Sequence, residues 1–276
     1  MILTGPRRGR RLVVRTLGDF HAIRDRVEIT PGAWGRRKAR ELLWLLCARP
    51  GHAVSRESAA GLLWPDAPSR SQAGRLRVTL HALNQALEPD RTPHAPTAFI
   101  HADADLIRLD SAVWLDIDEF HRLARLAGAE RDAARMAGLA RATVAFYRGP
   151  FLADAPCLEW AQSIREAAQA TYLDLAVHAG RAELAAGMVG RAAALARSVI
   201  STDPYREVAY RLLAQACLAT GDPAAARAVF VTCRARLAAD LGVRPSWTVD
   251  ALAMPRPRGT VPTTSVPLPR RHREYQ

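Results

Sequence analysis

From about residue 111 to residue 254 the sequence is rich in Ala, Leu and Arg with helical periodicity and carries no convincing strand, whereas the preceding hundred residues alternate short strand-like runs with helical ones. A change of pattern on that scale marks a change of architecture. At 276 residues the chain has room for roughly two cores of ordinary size. The expected fold class is mainly α. An α+β unit over 12–110 precedes a separate all-α unit over 111–254, with a basic flexible N-terminus over 1–11. The stretch 255–276, rich in Pro and Arg and without apolar periodicity, buries too little surface to offset its ordering entropy and is expected to be a disordered basic tail.

In the first unit, Leu12 to Leu17, His21 to Ile23 and Val27 to Ile29 read as short strands, with a turn at Arg24, Asp25 and Arg26. Pro31, Gly32 and Gly35 then break the chain. A helix is expected over 36–48, with Leu42, Leu43, Leu45 and Leu46 as its apolar face, stopped by Pro50 and Gly51. Ser55 is placed to cap a second helix, with Glu57 in its first turn and Leu62, Leu63 and Trp64 on its buried side. A third helix over 71–87 carries Leu76, Leu80, Leu83 and Leu87 at spacings of 4, 3 and 4, a single stripe closed by Pro89. The runs Phe99 to His101 and Leu106 to Leu109 flank Ala102 to Asp105 as a terminal hairpin. Strands, three helices and a hairpin are the order of a winged helix-turn-helix whose second and third helices form the DNA-binding pair.

In the second unit Gly187 and Gly221 stand 34 residues apart, each followed five residues later by Ala192 or Ala226. That is the tetratricopeptide period, so helical hairpins are expected, the later one with the longer second helix. Asp116, Asp118 and Glu119 precede Phe120 and Leu123 and are assigned to a helix cap and dipole. Cys47, Cys157, Cys217 and Cys233 lie far apart without CxxC pairing and are read as reduced, mostly buried thiols.

Charge is distributed unevenly. The formal net charge is +12, made up of +9 over residues 1–100, −1 over 101–254 and +4 over 255–276. Concentrated Arg in the first unit fits a polyanion partner, because cations that neutralise phosphates release counterions. A basic surface that merely aids solubility is the competing reading. No run reaches the length of a bilayer span, and the basic residues near the N-terminus lack a signal-peptide apolar core, so no membrane association and a cytoplasmic, nucleoid-associated location are expected.

A recognition helix reads base edges in the major groove while neighbouring segments hold phosphates. Opposite its leucine stripe the third helix carries Ser71, Gly74, Arg75, Val78, His81, Ala82 and Gln85, with Arg77 on the flank. Arg75, Arg77, Val78 and His81 are the base-reading candidates: cations and imidazole for guanine acceptors, valine for a thymine methyl. Arg36, Arg37 and Lys38, at a helix start beside Gly35, are phosphate-contact candidates, together with Arg56 and Arg70. Each set also reads as the solvated face of an amphipathic helix. Exposed Val78 and Gly74 favour close approach to another surface, since glycine inside a helix costs about 1 kcal/mol relative to alanine. His101, Asp103 and Asp105 would share one strand face, with His94 near, but a tight turn accounts for them better than a metal. The sequence has no Gly-rich phosphate loop, HExxH, GxSxG or paired-Cys motif, and its eight histidines are scattered. No enzyme, cofactor or metal is expected.

Several segments resemble a known family. They are Trp34-Gly-Arg-Arg-Lys-Ala-Arg-Glu-Leu-Leu, Val54-Ser-Arg-Glu, Leu63-Trp-Pro-Asp, and the run from Leu76 to Asp90. In the second unit they are Trp114-Leu-Asp-Ile-Asp-Glu-Phe, Tyr147-Arg-Gly-Pro-Phe-Leu-Ala-Asp, Asp203-Pro-Tyr-Arg-Glu and Leu241-Gly-Val-Arg-Pro-Ser. In this order and spacing they are similar to the actinobacterial antibiotic-regulatory activators (SARP) and relatives carrying a bacterial transcriptional activator domain (BTAD), over residues 12 to 253. The resemblance implies a winged helix that binds tandem repeats in double-stranded promoter DNA as more than one protomer. It also implies a tetratricopeptide-like domain that serves homo-oligomerisation and contact with RNA polymerase. Because the sequence ends soon after the second unit, a small stand-alone member without an ATPase module, receiver domain or second effector domain is expected. Asp103 and Asp105 depart from the glycine or basic residues more usual in the wing, and Gly61 and Gly74 depart from stronger helix formers. The acidic wing keeps a rival open, a tetratricopeptide-like interaction adaptor without sequence-specific DNA binding.

Overall fold

The computed structural model describes residues 11–92 and 95–253. The expected N-terminal segment other than Arg11, the expected tail, and His94 lie outside the described residues. The fold class is the expected one: mainly α, a small N-terminal sheet region with a helix-turn-helix, then a helical-repeat unit.

Strands β1 (Leu12–Arg15), β2 (His21–Arg24) and β3 (Val27–Glu28) form an antiparallel meander with Leu12 opposite Arg24. Asp25 and Arg26 both take positive φ at the turn, the twist that suits a two-residue hairpin. Helix α1 (Arg37–Ala48) buries Leu42, Leu43, Trp44, Leu45 and Leu46. Strand β4 (Ala53–Ser55) leads into α2 (Arg56–Leu63), which Ser55 caps by accepting from the Ser58 amide at 3.1 Å. Helix α3 (Ser69–Leu87) follows and starts two residues before the expected position. Gln72 sets the bend between α2 and α3 by donating through Nε2 to the carbonyls of Trp64 and Ala67.

One expectation for α2 is corrected. Ala59, Ala60 and Leu63 form its inward face, while Leu62 is 37% exposed and Trp64 half-buried. The helix ends at Leu63, which puts Trp64 outside the helical repeat and leaves Leu62 off the inward stripe.

Strands β5 (Ile100–Ala102) and β6 (Leu106–Leu109) make the expected hairpin, and β4 pairs with β6 to give a second sheet in the order β4-β6-β5. A further strand beyond residue 111 corrects the expectation of none. Strand β7 (Trp114–Leu115) lies parallel to β1, Val13 opposite Trp114, and completes the first sheet as β3-β2-β1-β7. Two residues are too few for alternation to register in a sequence, and their partner is about a hundred residues away.

Helices α4 (Asp116–Ala129), α5 (Ala133–Val144), α6 (Gln162–Ala185), α7 (Val189–Thr202), α8 (Glu207–Ala219) and α9 (Pro223–Leu241) pack each against the next, followed by α10 (Val249–Ala253). Gly187 and Gly221 sit at φ +76° and +77° just past α6 and α8, where residues with a Cβ are strained. Ala192 and Ala226, in the helices that follow, are fully buried. The hydrophobic core does not divide at residue 111. One cluster runs from Leu12 and α1 to α3 through Phe120, Phe151 and Tyr172 to Val199 and Ala209, with two smaller clusters among α7 to α10. Cys47 and Cys233 are buried, Cys217 half-buried and Cys157 exposed.

Candidate nucleic-acid interface

Helix α3 turns Leu76, Thr79, Leu80, Leu83, Ala86 and Leu87 inward. Its opposite side exposes Gly74, Arg75, Arg77, Val78, His81 and Gln85, with Ser71 and Ala82 half-buried at its margins. Val78 is 46% exposed, a large apolar side chain left about half open by its own fold. Around Gly74 an added Cβ would meet no atom within 4 Å. The glycine is therefore not required by internal packing.

The start of α1 lies beside this face. Arg36, Arg37 and Lys38 line one groove of about 700 Å³ with Trp64, Ser71, Gly74, Arg75 and Val78. Their charge is partly spent. Arg37 Nε and Lys38 Nζ stand 2.6 and 2.7 Å from the carboxylate of Glu41, which is 5% exposed. That hydrogen bond raises the already high pKa of Arg37. Arg36, the N-cap of α1, and Arg70, in the first turn of α3, are exposed, and no ion pair to either is found among the described residues.

Arg56 is placed differently from the other phosphate-contact candidates. Its guanidinium donates to the Asp103 carbonyl at 3.1 Å and its amide to the Asp105 carbonyl at 2.8 Å, tying the hairpin tip to the start of α2. At that tip Asp103 Oδ1 accepts from the amides of Leu106 and Asp105, which hold its carboxyl below the usual range. His101 pairs instead with Asp110 at 2.7 Å and does not join Asp103 and Asp105, which are linked to each other through the Asp105 amide.

Sequence reasoning missed the joint between the sheet and the helical repeats. Asp116, Asp118 and Glu119 do stand in the first turn of α4, where they meet the helix dipole as expected, but Asp116 is fully buried and caps nothing, the N-cap being Leu115. Its carboxylate accepts from Thr16 N at 2.7 Å, Thr16 Oγ1 at 3.0 Å, Leu17 N at 3.2 Å and Arg148 at 2.7 Å. Asp118 pairs with His52 at 2.8 Å, and Glu119 with Arg122. The chain beyond α5 returns to the same place, where Leu152 N donates to Thr16 O and Gly18 N to Pro150 O. Gly18, at φ +99°, comes so near that its Cβ would sit 3.2 Å from that of Arg148. Arg165 on α6 is 8% exposed and donates to the carbonyls of Phe151, Ala155, Pro156 and Leu158, which fixes the returning loop. The motif run from Tyr147 to Asp154 was the available signal, but nothing in it names Thr16 as the partner.

The hydrogen bond to Asp118 raises the His52 pKa above its ordinary value, against opposing desolvation. A raised folded-state value gives stability that is full below about pH 6.5, the unfolded value, and is lost as pH rises through the folded one. His52→Gln is accordingly expected to lower the melting temperature at pH 5.5 and to do so much less at pH 8.5. Equal losses in thermal melts at both pH values would show that the pair is not ionic.

These observations define a class: a helix-turn-helix with a basic exposed face, joined to helical repeats through a shared core. The family model "Bacterial transcriptional activator domain" matches residues 115–254, and the chain belongs to that family. The SARP-type resemblance carried by its motifs stands. A structure of Mycobacterium tuberculosis EmbR in complex with a low-affinity phosphopeptide shares this fold, with a TM-score of 0.69 at 22% identity over 88% of this chain. The chain spans 64% of the length of that one. No curated protein matches the sequence. No helix among the described residues is long and apolar enough to cross a membrane.

Proposed function

We propose that the protein is a DNA-binding transcription activator, with residues 12–110 as a winged-helix DNA-binding domain and 111–254 as the domain for protein contacts. Helix α3 enters the major groove, where Arg75, Arg77, Val78 and His81 meet base edges, while Arg36, Arg37, Lys38 and Arg70 hold phosphates. The observation that carries this reading is the single groove shared by the exposed face of α3 and the basic start of α1. In this reading the helical domain contacts a second copy or RNA polymerase, and no catalytic step, cofactor or metal is involved. Arg56, already engaged with the hairpin, acts by positioning the wing, although a free NH group of its guanidinium leaves a phosphate contact open to it.

The test is fluorescence anisotropy of the full chain with its own upstream promoter DNA and with a scrambled duplex, across a salt series. Affinity for the promoter should exceed that for the scrambled duplex and fall linearly with salt on a log-log scale. Arg75→Ala should weaken promoter binding by roughly 5- to 150-fold, about 1–3 kcal/mol, and leave the scrambled duplex less affected. Equal, weak binding to both duplexes, unchanged by the substitution, favours the adaptor reading, which the acidic hairpin tip at Asp103 and Asp105 supports.

Gly74 supplies an independent test. The space around it is open, so Gly74→Ala should stabilise α3 by about 1 kcal/mol. If the DNA backbone approaches here, the same variant should bind promoter DNA less tightly while melting at a higher temperature. A variant that gains in both measurements would place the DNA elsewhere.

A further inference from the structure

Helices α6 and α8 touch directly across α7. The approach is close at Gly180, where an added Cβ would lie 2.5 Å from Leu212 Cδ2. The residues that follow Gly180 and precede Leu212, Arg181 and Arg211, stand on the two sides of a groove of about 550 Å³. Leu184, Ala185 and Val208 form its apolar part, and Gln215 closes the lining. Val208 is 39% exposed.

The carboxylates of these two helices are engaged elsewhere. On α6, Glu166 accepts from Gln162, Asp174 pairs with Arg206, and Glu183 faces Arg141 at 3.6 Å. On α8, Glu207 accepts from the amide and hydroxyl of Ser246. Among the described residues Arg181 and Arg211 have no ion pair. Two like charges held on opposite sides of one cleft repel each other, and an anion between them converts that repulsion into attraction.

We propose that this groove docks an acidic peptide segment of a partner protein, with a carboxylate between Arg181 and Arg211 and a neighbouring aliphatic side chain on Leu184, Ala185 and Val208. The volume suits a few side chains, and paired arginines match carboxylates through planar, forked donors. The apolar part distinguishes this occupant from a nucleic acid, whose backbone offers phosphates but no aliphatic group to cover Val208. Stacked helical repeats commonly present such a surface to extended partners. The inference deepens the protein-contact half of the proposed function and is independent of how α3 reads DNA.

The test uses the full chain and three fluorescent peptides of equal length, alternating Leu with Glu, with Gln or with Lys. Wild type should bind the Glu peptide at least tenfold more tightly than the Gln peptide and bind the Lys peptide least. Arg181→Glu combined with Arg211→Glu should abolish that preference, and Val208→Asp should weaken the Glu peptide while both arginines remain. Promoter-DNA binding, measured in parallel, should be unchanged in all variants. Equal binding of the Glu peptide by wild type and the double variant overturns the proposal, as does the absence of any preference for Glu over Gln. Loss of DNA binding in the double variant, with peptide binding retained, would assign the arginines to nucleic acid and overturn it as well. Failure of DNA binding in wild type would sink the DNA reading and leave this proposal to its peptide result.

Discussion

Asp116→Ala should destabilise the fold by about 2–5 kcal/mol, most of it from buried amides left without an acceptor, since the other charge of the pair, Arg148, is 43% exposed and can turn to water. The carboxylate is 0% exposed and receives two amides, a hydroxyl and a guanidinium. Without it the amides of Thr16 and Leu17 remain buried without their acceptor, and each such group costs about 1–3 kcal/mol. Asp116→Asn should be milder but still costly, because its amide NH₂ would face donors on that side. The measurement is urea unfolding of wild type and both variants with a common slope. A loss under about 1 kcal/mol for the alanine variant would mean that water replaces the carboxylate and that the joint is wet. The joint is also where the sheet and helix-turn-helix meet the helical repeats. Loss of stability should therefore be accompanied by faster hydrogen exchange at Thr16, Leu17 and Leu152 before the interior of α3 is affected.

Arg165→Met should cost about 3 kcal/mol, since hydrogen bonds from a charged donor contribute roughly 1.5–3 kcal/mol each and part of the loss is recovered by water at the loop. Methionine keeps the length of the buried stem but none of the donors that reach Phe151, Ala155, Pro156 and Leu158. Those carbonyls are reached from three nitrogens, Nε, Nη1 and Nη2, a spread that a planar guanidinium supplies and an ammonium does not, so Arg165→Lys should recover less than half of the loss. Limited proteolysis should then cut between residues 150 and 161 in both variants and spare that segment in wild type. Full rescue by lysine would show that the charge, rather than the fork of donors, holds the loop.

Much of the helix-turn-helix could be read from residues alone. The Leu76, Leu80, Leu83 and Leu87 stripe has one period and one direction, so burying it leaves Gly74, Arg75, Val78 and His81 on the outside whatever the partner elements are. Ser55 caps α2 because a hydroxyl before a helix has few better uses, and that is local information. Leu62 and Trp64 were misplaced because the assignment depends on where an eight-residue helix stops, a matter of one or two residues.

The acidic run at the start of α4 shows where local reasoning ends. Asp116, Asp118 and Glu119 look alike in sequence and would each suit a helix N-terminus. In the fold one is buried beneath Thr16 and Leu17, one meets His52, and one stays on its own helix with Arg122. By contrast, Arg37 and Lys38 share the Glu41 carboxylate at i+4 and i+3 on one helix, a pairing that is local and legible in the sequence.

What the sequence by itself determined is therefore what rests on period and on neighbours in the chain: the change from mixed to helical architecture, the faces of α3, the turn glycines Gly187 and Gly221, and the order of motifs that places the chain in its family. The tertiary structure alone decided the parallel pairing of Trp114 with Val13, the burial of Asp116, the four carbonyls gathered by Arg165 and the facing of Arg181 and Arg211. The physical reason is range. Helical faces and caps follow from dihedral geometry within a few residues, whereas buried charges and crossing helices acquire their partners only when segments up to about a hundred residues apart close around them.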